Sequence, residues 1–343
     1  MVVLLTGGTG LLGNALGQEL ARRGYSLRVL ARDPAKARLA YPAEVFPWNG
    51  MDQPPPEAAL RDVDAVVHLA GENIAAKRWT SERKRLLRDS RVVAADHLAQ
   101  AVRSRGTPLR AFVSVSGVGY YGDREAQPLS EEDSPGQDFL ARLCQDWEHA
   151  ADQVPAERTV KLRLGVVLSQ TGGFLREVVP MFSRFGASRL GTGRQYVSWI
   201  HIRDVVRIVA EALARQEFAG VYNAVAPEPV TNACMTDALA RVLGVPKAPP
   251  VPALALRLAF GELSEVLLFS QKATPMRLSE MGWKFEYADF ASAIRSVFPG
   301  LHSGETRLVF EQWVPSELER VWEFFSNETN LEKSRRLFWV FMF

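Results

Sequence analysis

The run Thr6-Gly7-Gly8-Thr9-Gly10-Leu11-Leu12-Gly13 has the residue types and the spacing to hold a dinucleotide. Glycines at this interval answer separate needs: a tight turn, a backbone that approaches a pyrophosphate, and a helix that packs closely on a strand. An apolar segment, Val2 to Leu5, runs straight into the turn, and Ala15, Leu16 and Leu20 recur behind it at helical spacing. A helix that starts here turns free N–H groups and the positive end of its dipole toward phosphates.

The end of the second strand bears on which dinucleotide. An acid there binds the ribose hydroxyls and selects NAD. In this chain Ser26 to Ala31 reads as that strand and Arg32-Asp33-Pro34 follows. Arg32 can pair with a 2′-phosphate through two parallel hydrogen bonds. Asp33 is either the ribose acid or the cap of a short helix with Pro34 in its first position. The reading favours NADP(H), with NAD(H) second. Trp48 and Asn49 are candidates for contact with the adenine.

These groups need a frame. Strand patterns at residues 45–46, 64–70, 111–116 and 160–168 alternate with helical patterns at 81–103 and 139–151. The run Asp64-Ala-Val-Val-His-Leu-Ala70-Gly71 is apolar without alternation, as expected of a strand covered on both faces. The alternation implies an α/β fold: a Rossmann-type doubly wound parallel sheet with right-handed crossovers and a smaller, mostly helical C-terminal substrate lobe. The expected division is a large domain over 1–225, which includes a substrate-side insertion at 170–200, and a small domain over 226–297. Ligands of such sheets sit at the C-terminal ends of the strands, near the point where the strand order reverses.

With 343 residues and 47% apolar composition, the chain can bury a large core. Its net charge of +2 offers no electrostatic case for nucleic acid or an anionic membrane. Cys144 and Cys234 cannot make a disulfide framework or a zinc site, and both read as core thiols of a reducing cytoplasm. No His, Cys, Asp and Glu arrangement points to a metal, and no apolar run is long enough to span a bilayer. The expected partner is a small molecule, with a homodimer left open.

Several segments together resemble one family. Thr6 to Gly13, His68-Leu-Ala-Gly71, Ser114-Val-Ser116 leading to Tyr121-Gly122, and Trp199-Ile-His-Ile-Arg-Asp204 are similar to the extended short-chain dehydrogenase/reductases. Ala70-Gly-Glu-Asn-Ile74, Gly119-Tyr-Tyr-Gly122, Ser198-Trp-Ile-His201 and Tyr222-Asn-Ala-Val-Ala-Pro-Glu-Pro-Val230 resemble its atypical, epimerase-like branch, with the branch's small C-terminal domain. The resemblance spans about residues 1–297. It implies NADP(H) binding, with Gly7 to Gly13 around the pyrophosphate and Leu69, Ala70 and Gly71 along the adenine ribose. Arg91 falls where extended members place a cofactor-side Asn, and Ser116 matches the serine that hydrogen-bonds the reacting oxygen.

The resemblance also breaks. The family's acid–base pair is Tyr-x-x-x-Lys on one helix, where the ammonium lowers the phenol pKa. No tyrosine here has a lysine four positions on, and with Glu148 as anchor the two positions hold Leu140 and Cys144. Tyr120 and Tyr121, just after Ser116, become the candidate proton donors, with Glu72 a further one on the substrate side. Nucleotide-sugar members grip a diphosphate with an Arg two residues after a Gln, where this chain has Val197 after Gln195. Arg194 is nearby but shifted, and with Gln195 it is the remaining substrate-binding candidate. His201 and Asp204 read as structural, with Asp204 capping the next helix.

Residues 301–343 resemble the opening of a START-like domain of the cyclase/dehydrase type, truncated and too short to bury a core of their own. Three functions follow from the sequence. The first is an NADP(H)-dependent oxidoreductase acting on a small carbonyl or hydroxyl compound. The second is a cofactor-binding sensor or scaffold without catalysis. The third is a nucleotide-sugar epimerase.

Overall fold

The computed structural model describes residues 1–299, so the START-like expectation for 301–343 lies outside the described residues. The first apolar run forms β1 (Val2–Thr6), and the glycine turn opens α1 (Leu11–Arg22). Then come β2 (Ser26–Ala31), β3 (Glu44–Pro47), α2 (Glu57–Leu60), β4 (Ala65–His68), α3 (Ser81–Asp89), α4 (Val92–Ser104) and β5 (Ala111–Gly117). A 3-10 turn at Val118–Tyr121 leads to β6 (Pro128–Leu129), α5 (Phe139–Asp152), β7 (Thr159–Leu164) and β8 (Val166–Leu168). The remainder is α6 (Phe174–Phe185), β9 (Tyr196–Val197), β10 (Trp199–His201), α7 (Ile202–Ala214), β11 (Gly220–Ala224) and β12 (Val230–Thr231). It continues with α8 (Asn232–Leu243), α9 (Ala253–Phe260), α10 (Glu265–Leu268), β13 (Lys272–Ala273), α11 (Met276–Glu280) and α12 (Phe290–Val297).

Seven strands make one sheet in the order β11-β7-β5-β4-β1-β2-β3, every neighbouring pair parallel. The order reverses between β1 and β4, which opens a crevice at their C-terminal ends. A parallel sheet needs cover on both faces. Val3, Leu5, Val29 and Val113 pack with Leu16, Leu20 and Val205 on the side of α1 and α7. Leu4, Val66 and Phe112 pack with Leu98, Ala99 and Val102 on the side of α4.

Two elements differ from the sequence reading. The strand expected over 160–168 is divided at Gly165: β7 stays in the large sheet, while β8 leaves it to pair with β10. A Cβ at Gly165 would lie 2.7 Å from the Ser198 carbonyl oxygen, so the crossing needs a residue without a side chain. The helix expected over 81–103 is broken at Ser90 and Arg91, because Ser90 closes α3 and Arg91 opens α4.

The smaller lobe is mostly helical and is interleaved with the large one, so that residues 1–299 form one compact unit. Its core joins Leu168, Leu175, Trp199, Met235, Leu239, Phe290 and Ile294. Helix α8 begins with the Thr231 hydroxyl accepting from the Cys234 N–H at 3.2 Å and ends at Gly244, which is left-handed at φ +65°. Cys144 is buried as expected, but Cys234 is exposed on the first turn of α8. Among the described residues, no helix is long and apolar enough to cross a membrane, and no group of His, Cys, Asp and Glu is placed to hold a metal ion.

Trp199 joins the lobes: it is fully buried, packs edge-on against Phe290 at 5.2 Å, and donates from Nε1 to the Glu228 carbonyl at 2.9 Å. Trp199→Ala is expected to lower unfolding stability by about 3–5 kcal/mol, read from urea denaturation. A loss below about 1 kcal/mol would contradict this account of the junction.

Candidate active site

The glycine turn is built as its spacing requires. Gly7 takes φ +70°, and a Cβ there would sit 2.9 Å from the Ala70 nitrogen at the end of β4. At Gly13 a Cβ would meet the Gly7 carbonyl oxygen at 2.2 Å, so α1 can start against the turn only without a side chain at that position. Gly8 is buried, and its carbonyl accepts from the Tyr41 hydroxyl at 3.1 Å. Thr9 and Gly10 are exposed, Leu11 and Leu12 half-buried. Gly10 is the N-cap of α1 and no side chain caps the helix, so its first N–H groups face the crevice uncapped.

Thr6 is corrected from a cofactor contact to a tie beneath the turn. Its side chain is fully buried, its hydroxyl accepts from the Ala70 N–H at 3.1 Å, and it lies 2.8 Å from His68 Nδ1. His68 Nε2 is buried with no hydrogen-bond partner among the described residues. Burial pulls the His68 pKa down to about 4, and the imidazole is neutral at neutral pH.

Charge gathers just beyond β4. Leu69 and Ala70 are half-buried and Gly71 is exposed. The Glu72 carboxylate is shared by Arg32 at 3.3 Å and Arg83 at 3.1 Å. Glu72, expected on the substrate side, thus has both carboxylate oxygens engaged by guanidinium groups. Arg32 projects from the rim with its side chain 77% exposed. Asp33 caps the turn Pro34–Lys36 through the Ala35 N–H at 3.1 Å and pairs with Lys36 at 3.0 Å. Trp48 is buried, its Nε1 donating to the Gln53 carbonyl at 2.7 Å, and Asn49 Oδ1 accepts from the Met51 and Asp52 N–H groups. The Trp48 ring is thus core, and Asn49 shapes its own loop.

Arg91 lies in the break between α3 and α4 and is 5% exposed. Its Nη1 donates to the Leu87 carbonyl and its Nη2 to the Glu72 carbonyl, each at 2.9 Å, and the Trp147 ring covers it at 4.8 Å. A Cβ on Gly71 would lie 2.9 Å from its guanidinium carbon. Among the described residues no carboxylate pairs with it and its Nε has no partner. Burial lowers its pKa to about 10, which leaves it charged at neutral pH.

Ser116, on the end of β5, donates to Glu148 Oε1 at 2.7 Å. Glu148 receives Arg163 through both oxygens, at 2.8 and 2.9 Å, and Arg163 Nη1 donates to the Tyr121 hydroxyl at 3.0 Å. Tyr121 donates in turn to Asn223 Oδ1 at 2.7 Å. Burial opposes the Arg163 charge, yet the bonds and charge of Glu148 hold its pKa above the ordinary value. Tyr121 is corrected from a proton donor to a link in this chain. It is fully buried, both phenol bonds are internal, and burial pushes its pKa up to about 12. Tyr120 is half-buried with its ring 3.3 Å from the Arg163 guanidinium carbon, and its hydroxyl has no hydrogen bond among the described residues. Leu140 and Cys144 bring no acid–base group, and burial, then the Glu148 charge, pushes the Cys144 thiol up to about 12.

On the substrate lobe, Gln195 is corrected as well. It is buried and its Nε2 donates to the Leu190 and Leu267 carbonyls at 3.0 and 3.1 Å, so it clasps two loops. Arg194 is exposed, and its side chain has no acid partner among the described residues. His201, not Asp204, caps α7, accepting from the Arg203 N–H at 3.2 Å. Asp204 lies inside the first turn and accepts from the Glu286 and Tyr287 N–H groups at 2.8 and 3.0 Å, which anchors that loop. Glu148, Arg163, Asn223 and His68 were missed as site residues. The available signal was the alternation of Lys161 and Arg163 with Val160, Leu162 and Leu164, which sets charges in a strand of the central sheet.

The chain is similar to known proteins in sequence and fold. The family model for the NAD dependent epimerase/dehydratase family matches residues 3–225, and a domain of unknown function, DUF1731, matches 251–297. The epimerase family protein Mb2239 of Mycobacterium bovis is 41% identical over 297 residues, covering 85% of this chain and 96% of that protein. The crystal structure of the human epimerase family protein SDR39U1 (isoform 2) with NADPH is similar at TM-score 0.77 and 31% identity, over 87% of this chain and 99% of that one. A structure of the nucleoside-diphosphate sugar epimerase from Corynebacterium glutamicum is similar at TM-score 0.68 and 34% identity, over 86% of this chain and 57% of that one.

The geometry makes two predictions. Gly13→Ala is expected to weaken dinucleotide binding at least about tenfold in calorimetric titration, because the added methyl displaces the Gly7 carbonyl that shapes the turn. The second concerns acid. Below about pH 6.5 the unfolded chain protonates His68, while the folded site resists to about pH 4. Stability is therefore lost as pH falls through that window, by up to about 3 kcal/mol from this residue. His68→Asn is expected to flatten the decline measured by urea unfolding between pH 7 and 4.5, and an unchanged slope would refute the assignment.

Proposed function

This chain belongs to the NAD dependent epimerase/dehydratase family, and on that premise we propose that it is an NADP(H)-dependent oxidoreductase acting on a small carbonyl or hydroxyl compound. One observation carries the cofactor reading: the glycine turn and uncapped α1 N-terminus accompany Arg32 and Arg83, which share the single carboxylate of Glu72, and Arg91, which takes only the Glu72 main-chain carbonyl. That surplus of positive charge fits a phosphorylated dinucleotide. The NADPH in the human SDR39U1 structure supports the same choice. Gly7, Gly8, Thr9, Gly10, Leu11, Leu12 and Gly13 would hold the pyrophosphate, Leu69, Ala70 and Gly71 the ribose side, and Arg32 the 2′-phosphate. Asp33, already engaged as a cap, weighs against a ribose acid and hence against NAD(H).

When bound, the cofactor supplies the hydride. With its own hydrogen given to Glu148, which Arg163 fixes in turn, Ser116 would orient a substrate hydroxyl by accepting from it. Of the two tyrosines after Ser116, Tyr120 is the one whose hydroxyl is not engaged, and it is the remaining phenol candidate for proton exchange. The sensor reading has one specific support, the Leu140 and Cys144 pair where an acid–base pair is usual. The nucleotide-sugar reading is weakened because Val197 is in β9, paired with Val230, and offers no grip on a diphosphate.

Arg32→Ala is expected to raise the Kd for NADPH about tenfold and leave that for NADH within about twofold, by the loss of a charge-assisted pair. Purified protein should oxidise NADPH with at least one member of a panel of aldehydes and ketones, and Ser116→Ala should slow that reaction about 10- to 100-fold. Tight NADPH binding with no turnover across the panel would favour the sensor, and no NADPH binding at millimolar concentration would end both readings.

A further inference from the structure

Strands β2 and β4 lie on either side of β1, with Thr6 opposite Leu30 on one side and His68 on the other. Arg32 directly follows the end of β2, and Glu72 comes shortly after the end of β4. Their ion pair, 3.3 Å from Nη1 to Oε1, therefore spans the C-terminal end of β1, where the glycine turn begins. It joins the two sides between which the adenosine ribose would lie, Leu69 to Gly71 on one and Arg32 on the other.

The two partners are not held alike. Glu72 is fixed: its second oxygen receives the nearly buried Arg83 at 3.1 Å, and its N–H donates to the Ser90 hydroxyl oxygen at 3.1 Å. Arg83 is anchored in turn by the Asn73 carbonyl. The Arg32 side chain is largely exposed and, among the described residues, bonds to Glu72 alone. An exposed pair of this kind is weak in water. Arg32 is thus the part free to move, and Glu72 is the part that draws it back.

We propose that Glu72 is a specificity-determining residue that competes with the cofactor's 2′-phosphate for Arg32, and so holds the preference for NADPH over NADH below what the basic rim alone would give. The inference rests on the NADP(H) reading above, in which Arg32 takes that phosphate. A 2′-hydroxyl needs no cation, so NADH leaves the ion pair in place. A 2′-phosphate has to draw Arg32 away from Glu72, and does so against the repulsion of the carboxylate. The two cofactors feel Glu72 differently, although every other group they carry is the same. A residue that only supports the loop after β4 affects both alike.

Glu72→Gln keeps the size of the side chain and an acceptor for Arg83 while removing the charge. Calorimetric titration of the full-length variant is expected to show the Kd for NADPH lowered about three- to tenfold and that for NADH unchanged within about twofold, the scale of one exposed ion pair and a relieved repulsion. In an Arg32→Ala background the same substitution should change the NADPH Kd by less than about twofold, because no guanidinium is left to release. Glu72→Asp retains a carboxylate for Arg83 but shortens the reach to Arg32. It should raise the ratio of the NADH to the NADPH Kd about twofold, and it decides the matter if the Gln variant does not fold. Equal gains for both cofactors would overturn the proposal, since the pair would then be a bar across the crevice for either one. A gain that persists without Arg32, or NADPH binding weakened by Glu72→Gln, would do the same. If Arg32→Ala alone leaves NADPH binding unchanged, the reading of Arg32 fails first. A normal Arg32→Ala effect with no Glu72→Gln effect removes only this inference.

Discussion

The main chain of Gly7 lies against the main chain of Leu69 and Ala70 with no space for a Cβ between them, and the site depends on that contact. It brings the ends of β1 and β4 together at the point where the sheet reverses its order. The Thr6 hydroxyl, bridging Ala70 and His68, ties the same two strands from below. With the strands so close, the chain leaving β4 crosses at Gly71, and Arg91 fits directly under it. Residue size at a few backbone positions therefore decides where charge can stand.

The opposite end of the site is organised by a buried ion pair. Glu148 and Arg163 are both nearly inaccessible, and every bond that Ser116 and Tyr121 make to side chains runs toward this pair or Asn223. Removing two charges from water is costly, and such a pair persists when the remaining hydrogen bonds are filled, as they are here. Loss of one partner would leave the other charge buried and unpaired, typically about 3–5 kcal/mol. The pair ties β5, the turn after it, α5, β7 and β11 into one rigid wall beside the crevice. It fixes the Ser116 hydroxyl, and with Asn223 it engages the Tyr121 hydroxyl on both sides.

The two ends treat charge in opposite ways. Around Ser116 an acid and a base neutralise one another, whereas near Gly71 two guanidinium groups share the Glu72 carboxylate and a third, Arg91, meets only main-chain carbonyls and the Ser90 hydroxyl. A fold shared with nucleotide-sugar epimerases therefore says little about the reaction, which depends on the side chains placed on it.

Much of this was legible in the residues. The glycine spacing, the apolar strand before it and the helix behind it are local patterns, so they specify the turn and the uncapped helix start without distant partners. The alternation of strand and helix signals, together with a fourth strand whose apolar run does not alternate, was enough for a doubly wound parallel sheet, because such a strand must be covered on both faces. The cap role of Asp33 was also readable beside Pro34. The division at Gly165, the break at Arg91, the burial of Trp48 and the joining of Ser116, Glu148, Arg163, Tyr121 and Asn223 were not. Each depends on contacts between segments far apart in the chain, such as the Ser198 carbonyl against Gly165 or Asn223 against Tyr121. Spacing along a chain carries geometry only within one helix or strand. Whether a tyrosine donates a proton or closes a buried network is decided by what the other strands bring to it.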